Sequence, residues 1–144
     1  MDPPAKDTVA TVIPSLRYRN AAAMTDWPCK ASGFEKHTVH TDGGNVQHAQ
    51  LTCGNGMVVP GPVDNASAWC QRIVRHGICK RKTQACRVAV ADCAARCARA
   101  KSADAERVDE LQPMNYGGSG YGARDPEDHL GSFSDYAPWA EPAA

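Results

Sequence analysis

The sequence lacks the long hydrophobic run that a membrane-spanning helix requires, because no apolar stretch approaches about 20 residues. It also lacks an excess of charge, since 16 Lys and Arg balance 16 Asp and Glu. Its first residues have neither the basic end nor the apolar centre of a signal peptide. These absences argue against a membrane partner, a disordered polyelectrolyte and secretion. We therefore expect a globular cytoplasmic protein.

The cysteines lack the C-x-x-C spacing of zinc knuckles, and their number is odd. The seven positions are Cys29, Cys53, Cys70, Cys79, Cys86, Cys93 and Cys97. An odd count without close pairs disfavours a disulfide framework. Cys93 and Cys97 are one helical turn apart, but a zinc site would need two further ligands. We predict seven reduced thiols that behave as small apolar side chains.

The charges are unevenly distributed although they balance overall. Six basic residues and no acidic residue lie in 71–87, whereas nine acidic residues lie in 103–144. A basic run is one feature of nucleic-acid-binding segments. This run has no interleaved aromatic residues and no glycine-rich phosphate loop. It is interpreted as a solvated connection, so we expect no nucleic-acid partner, and an interaction protein that uses this run is kept as an alternative.

A strand-then-helix pattern occurs twice. An apolar, β-branched stretch leads to Asn20, and a second such stretch leads to Asp92, 72 residues later. Both residue types are typical helix N-caps, and an alanine-rich helical stretch follows each. The two helix exits, at Gly33 and Asp104, are 71 residues apart. The matching offsets indicate an internal duplication.

Each half continues as strands separated by turns. In the first half, turn clusters flank an alternating stretch at 48–53, and a short apolar strand follows at 57–59. In the second half, strands at 121–124 and 130–136 flank the turn at 125–128. The predicted boundaries are a flexible N-terminus at 1–8, module one at 9–62, a linker at 63–82, module two at 83–139 and a flexible C-terminus at 140–144.

Two proline positions predict interruptions. Pro28 lies inside the first helical stretch and is expected to kink or end the helix near Trp27. The run Pro60-Gly61-Pro62 is expected to be the stiff beginning of the connection between the halves. Apart from these interruptions, each half is predicted to form a βαβββ unit.

Several segments resemble the glyoxalase/bleomycin-resistance/dioxygenase families of the vicinal oxygen chelate (VOC) superfamily, most closely the bacterial glyoxalase-like branch. The segments that carry the resemblance are 12–20, 30–37, 48–57, 116–121 and 124–130. The fold implied is α+β, with two βαβββ modules that form curved mixed sheets around a shared cleft. The sequence departs from the family pattern at Asp104 and Asp128, where glycine is usual, and at Gly131, where tryptophan is usual.

The resemblance also implies where a metal ion would bind in metal-dependent members, on the first and last strands of each module. Counting from the helix caps, these positions fall on Ile13 and Ala85, near Val58 or Val59, and on Ser132. None of these side chains is a strong metal ligand, and the neighbouring Gln84 is only a weak one. We therefore predict no metal centre and no cofactor.

The cleft is predicted to bind a small molecule instead. A period of two sends Ser15 and Arg17 inward, and it does the same for Arg87 on the matching strand. Guanidinium groups suit an anionic or vicinally oxygenated ligand. The alternative is that each arginine side chain reaches solvent or forms an ion pair with an acidic residue. The predicted ligand-binding residues are Arg17, His48, Gln50, Arg87, Tyr121 and Ser132.

The histidines and aromatic residues leave further alternatives open. His37, His40 and His48 share one predicted hairpin, and a surface hairpin is favoured over a metal site. The aromatic residues that either line a pocket or belong to the core are Trp69, Tyr116, Tyr121, Phe133 and Tyr136. No Ser/His/Asp or Cys/His spacing argues for nucleophilic catalysis, so catalytic residues are not assigned.

Three functions remain at this point. The leading prediction is a metal-free, glyoxalase-like protein that binds a small molecule, as bleomycin-resistance proteins do by sequestration. An alternative is a VOC lyase, isomerase or dioxygenase with displaced metal ligands such as His48. The interaction protein above is the third. A homodimer is also expected, because superfamily members usually cover their open sheets by pairing modules.

Overall fold

A computed structural model describes residues 10–64, 67–69, 72, 84–115 and 117–136. The predictions for the two termini and for most of the linker at 63–82 lie outside these residues, as do Cys70, Cys79 and Tyr116. In the described part of the chain, no helix has the length and apolar character needed to cross a membrane.

The first module is a four-stranded sheet with one helix. Its elements are β1 (Ser15–Tyr18), α1 (Ala21–Ser32), β2 (Glu35–Asp42), β3 (Asn45–Cys53) and β4 (Gly56–Pro62). The strand order is β1-β4-β3-β2, with β1 parallel to β4 and the other pairs antiparallel. The helix α1 packs on one face of this sheet, against β3 and β4.

The second module repeats this arrangement. Its elements are β5 (Cys86–Ala89), α2 (Cys93–Ser102), β6 (Glu106–Pro113), β7 (Ser119–Arg124) and β8 (Leu130–Ser134). The strand order is β5-β8-β7-β6, again with one parallel and two antiparallel pairs. The predicted α+β class with two βαβββ modules is confirmed.

Both helices begin and end as the repeat predicts. The side chain of Asn20 accepts a hydrogen bond from the N–H of Ala23, and Asp92 accepts one from Ala95, each at 3.0 Å. Gly33 ends α1 in the left-handed conformation, with φ at 71°. After α2 the same conformation is taken by Asp104, a residue without glycine's freedom, with φ at 60°.

The expected interruption at Pro28 is wrong, because α1 continues through Pro28 to Ser32. A proline removes one helical hydrogen bond, yet the turns on either side keep theirs. The final turn is closed by the N–H groups of Gly33 and Phe34, which both donate to the carbonyl oxygen of Pro28. Tertiary packing, which half-buries Pro28, therefore outweighs its low helix propensity.

The expectation that Pro60-Gly61-Pro62 begins the linker is also wrong, because these residues extend β4. Leu16 and Tyr18 of β1 lie opposite Pro60 and Pro62. The N–H groups of Val59 and Val63 donate to the carbonyl oxygens of Pro14 and Tyr18, on the β1 side. Because successive backbone N–H groups of a strand point in opposite directions, the nitrogens of Pro60 and Pro62 point away from β1. The pairing of β3 with β4 begins at Gly56 and ends at Val58, so no strand needs a proline donor.

The chain packs its core on the helix side of each sheet. In module two the buried core comprises Val90, Cys93, Cys97, Ala100, Ala105, Tyr121, Ala123 and Phe133. In module one Ala49 and Leu51 of β3 are fully buried. Their strand neighbours therefore point to the opposite side, which we call the open face of the sheet.

Two arginines of α2 join the modules at the end of α1. Arg99 donates to the carbonyl oxygens of Lys30 and Cys29, each at 3.0 Å, and Arg96 donates to that of Ser32. These carbonyls belong to the last turn of α1, where cations complement the helix dipole. Module two thus supplies the hydrogen bonds that the last turn of α1 cannot make within itself.

A turn of module two caps the other end of α1. The carboxylate of Glu127 accepts hydrogen bonds from the N–H groups of Arg19 and Asn20, at 2.6 and 2.8 Å. Asp125 shapes this turn by accepting from the N–H groups of Glu127 and His129. The first helix is therefore held at both ends by the second module.

Candidate functional site

A cavity of about 410 Å³ lies between the modules. Its apolar walls come from both halves of the chain and include Leu16, Trp27, Phe34, Val58, Val88 and Phe133. Its polar lining includes Ser15, Arg17, Gln84, Arg87, Asp125 and His129. Cavities of this size with mainly apolar walls and a few polar groups are typical of small-molecule sites.

Residues 14–18, which include the edge strand β1, border this cavity. The side chain of Arg17 points to the open face of the first sheet, opposite the cavity walls formed by Leu16 and Val58. Arg17 is only 9% exposed. Its guanidinium group lies over Gly61, and a Cβ atom at position 61 would overlap with it. Nη2 donates a long hydrogen bond of 3.4 Å to the hydroxyl oxygen of Ser15. Among the described residues, Nε of Arg17 has no hydrogen-bond partner.

Arg87 borders the same cavity from β5, the edge strand of the second sheet. It lies directly opposite Ser132 of β8, so the two predicted residues share the open face of that sheet. Unlike Arg17, it is exposed. The two predicted arginines are therefore brought to one cavity from different modules, with different degrees of burial.

His48 and Gln50 lie on the open face of the first sheet, since they alternate with the buried Ala49 and Leu51. Gln50 accepts a hydrogen bond of 2.6 Å from the hydroxyl of Thr38. His48 faces His40 across the hairpin, with ring centroids 5.7 Å apart. These residues share a face with Arg17, but they do not line the cavity between the modules.

Tyr121 lies in the core of module two, away from the open face. Its ring stacks on Phe133 with centroids 5.0 Å apart, and the residue is 2% exposed. Burial raises the pKa of Tyr121, so the phenol is neutral. This buried position does not support the prediction that Tyr121 binds a ligand. Its neighbour Phe133 does border the cavity.

One wall of the cavity is fixed by a cluster of polar side chains. The hydroxyl of Tyr18 donates to Asp125 at 2.8 Å, and Nε2 of His129 donates to the carbonyl oxygen of Arg17 at 3.0 Å. Burial, followed by the charge of Asp125, raises the pKa of Tyr18 far above its usual value. The phenol therefore remains a donor, and the cluster positions β1 at the cavity wall.

The positions implied for a metal ion do not fit one. Val59 pairs with Ser15 and so shares the open face with Arg17, but neither Val59 nor Ile13 carries a ligand atom. In the second module Ala85 and Ser132 offer at most a hydroxyl oxygen. Across the described ranges, no three His, Cys, Asp or Glu side chains are grouped to hold an ion.

Sequence reasoning missed two of the aromatic walls, Trp27 and Phe34. Both lie at the contact between the modules, which no local pattern reveals. Phe34 directly follows Gly33, the glycine that ends α1, and directly precedes β2. A residue between a helix end and a strand start packs at the edge of the module, so this position could have identified Phe34 from the sequence. Trp69, which was considered instead, is 65% exposed.

Comparison with solved structures identifies the same architecture elsewhere. TioX from Micromonospora sp. ML1 is 25% identical, with a TM-score of 0.70 over 89% of this chain and 99% of that chain. A glyoxalase/bleomycin resistance protein/dioxygenase family enzyme from Burkholderia phytofirmans PsJN is 12% identical, with a TM-score of 0.67 over 85% and 94% of the chains. Lactoylglutathione lyase from Agrobacterium tumefaciens is 18% identical, with a TM-score of 0.63 over 91% and 96%.

Sequence comparison alone finds no matching family model and no matching curated protein. The likeness is therefore carried by the fold, by the duplicated strand-helix pattern and by the segments that resemble glyoxalase-like proteins. Together these observations confirm the expected resemblance: the chain has the fold of the glyoxalase/bleomycin resistance protein/dioxygenase family enzyme and of lactoylglutathione lyase.

Proposed function

We propose that this chain is a small-molecule-binding protein of the glyoxalase/bleomycin-resistance type, which holds an anionic or vicinally oxygenated ligand without a metal centre. The observation that carries this proposal is the cavity of about 410 Å³ between the modules, bordered by Arg17 and Arg87. Its walls supply apolar contact area, and its arginines supply charge-assisted hydrogen bonds. We keep the cytoplasm as the predicted location.

Sequestration needs only these two contributions. Apolar surface that a ligand buries against Trp27 and Phe34 is removed from water, at roughly 25 cal/mol per Å². An oxygen atom that meets a guanidinium group replaces water by a directional, charge-assisted contact. Neither contribution requires a reaction, so tight binding is sufficient for the proposed role.

Calorimetric titration with a panel of small organic anions tests the proposal. We expect wild-type protein to bind at least one anion, and Arg17→Ala to weaken that binding. Arg72→Ala is the matched control, because Arg72 lies in the basic segment and donates to the carbonyl oxygen of Ala68 rather than to the cavity. Equal loss in the control relocates binding to the basic segment and contradicts a ligand in the cavity.

One observation favours a metal-dependent enzyme as the second candidate. His40 and His48 face each other on the open face of the first sheet, so His48 is a displaced ligand candidate as the sequence suggested. Elemental analysis after gentle purification separates the two functions. We expect no stoichiometric transition metal, and about one equivalent per chain would favour the enzyme.

A further inference from the structure

We propose that the cavity between the modules is an unfilled part of their shared core, and that its ligand is a mainly apolar molecule about as large as a fused bicyclic ring. This inference rests on the proposed small-molecule function and specifies the ligand class. Three features of the cavity carry it: the side chains that face it, the small residues that leave it open, and its volume.

The walls of the cavity are apolar side chains from the helix-facing sides of both sheets. In module one Val58 pairs with the fully buried Leu51, so it lies on the helix-facing side. In module two Val88 pairs with Phe133 of the core. Trp27 of α1 packs against that core from the other module. All four wall residues border the cavity, so a molecule inside it contacts their apolar atoms.

These walls are incompletely buried although they lie on the core side. Trp27, Val58 and Val88 are only half-buried, whereas Ala49 and Leu51 in the closed core of module one are fully buried. The shared core is therefore not closed where the modules meet. Apolar surface that stays accessible lacks the stabilisation that burial gives, so a ligand that covers it gains this free energy on binding.

The cavity stays open because small residues of module two border it. These residues are Ala100, Ala105 and Ala123. Ala123 faces the helix side of its sheet, because it alternates along β7 with the core residue Tyr121. Larger apolar side chains at these positions would fill part of the space between the modules. The chain thus leaves unfilled a volume that close packing would otherwise occupy.

The volume of about 410 Å³ sets the size of the ligand. An apolar cavity of about 150 Å³ is large enough to hold a benzene molecule. The cavity between the modules is more than twice as large, so a single ring would leave part of its walls uncovered. The rings of Trp27 and Phe34 provide flat surfaces that suit a planar ligand. A fused bicyclic ring with one polar substituent fits this space.

Titration of the full chain with carboxylates of increasing apolar size tests the ligand class. Acetate, benzoate and 1-naphthoate carry the same charged group, so only the apolar body changes. We expect 1-naphthoate to bind about tenfold more tightly than benzoate, because its second ring buries further apolar area, and acetate to bind most weakly. Equal affinities overturn the apolar site but leave small-molecule binding intact. Binding by none of the three overturns both proposals.

Cavity-filling variants show where the ligand binds. Ala123→Leu and Ala105→Leu each place a larger side chain in the cavity, so each should weaken 1-naphthoate binding at least tenfold. Ala98→Leu is the matched control, because Ala98 is exposed on α2 and does not border the cavity. It should change the affinity by less than about twofold. Unchanged binding in both Ala123→Leu and Ala105→Leu overturns the inference.

Unfolding temperatures give a second readout. Without ligand, Ala123→Leu and Ala105→Leu should maintain or raise the unfolding temperature, because the added side chain enters empty space. Ala49→Leu should lower it, because Ala49 lies in a closed core. Added 1-naphthoate should raise the unfolding temperature of wild type and not that of the two cavity variants. A fall in both cavity variants as large as that in Ala49→Leu would show that their positions are closed, and overturns the inference.

Discussion

Replacing Gly33 by alanine tests how the two modules are joined. Gly33 has φ at 71°, where a residue with a Cβ atom costs about 1–2 kcal/mol. The added Cβ would also lie 2.6 Å from Nη1 of Arg96, which is closer than van der Waals contact allows. Arg96 would have to leave the carbonyl oxygen of Ser32, at a further cost of about 1–2 kcal/mol for a partly exposed charged hydrogen bond.

The expected loss for Gly33→Ala is therefore about 2–4 kcal/mol of the free energy of unfolding, measured by urea denaturation. Gly44→Ala is the matched control, because Gly44 has φ at 82° but nothing within 4 Å of its added Cβ. It should cost only the backbone contribution of about 1–2 kcal/mol.

A double-mutant cycle isolates the contact with Arg96. In an Arg96→Ala background, Gly33→Ala should cost about as much as Gly44→Ala, which corresponds to a coupling energy of about 1–2 kcal/mol. Equal costs for Gly33→Ala and Gly44→Ala in the wild-type background, together with a coupling energy near zero, would refute the close approach of Arg96 to the end of α1.

Three further predictions concern the thiols, the module contact and the assembly. Titration of denatured, air-protected protein should find all seven thiols, and Cys93, whose pKa burial raises to about 11, should react only after unfolding; two missing thiols would contradict this. Glu127→Gln should destabilise the protein by about 1–3 kcal/mol, since two backbone donors lose a charged acceptor, whereas the exposed Glu110→Gln should change little. Sedimentation at micromolar concentration should give twice the chain mass of 15.4 kDa, and a monomer alone would argue against the homodimer.

The features that the sequence predicted correctly depend on local chemistry. Asn20 and Asp92 marked both helix starts, because an N-cap side chain binds the backbone of its own first turn. The period of two placed Arg17 on the open face and Tyr18 on the helix side, because alternation along a strand is also local. These two rules were sufficient for the βαβββ repeat.

The features that were missed depend on contacts between distant residues. Pro28 and Pro60 break secondary structure by propensity, but packing and the direction of the partner strand decide their conformation. Trp27 and Phe34 form cavity walls only because module two packs against them. Tyr121 was predicted to bind the ligand only because it is aromatic. It pairs with Phe133 across β7 and β8, so its side chain points to the core side of the sheet.

The capping of α1 by the second module has a consequence for how the chain unfolds. Glu127 supplies acceptors at the start of this helix, and Arg96 and Arg99 supply donors at its end. Module one therefore cannot retain a stable helix when module two opens, so the two halves melt as one cooperative unit. Amide hydrogens in the middle of α1 should exchange with solvent only through global unfolding. Their slowest exchange rates should equal those of the amide hydrogens in the core of module two.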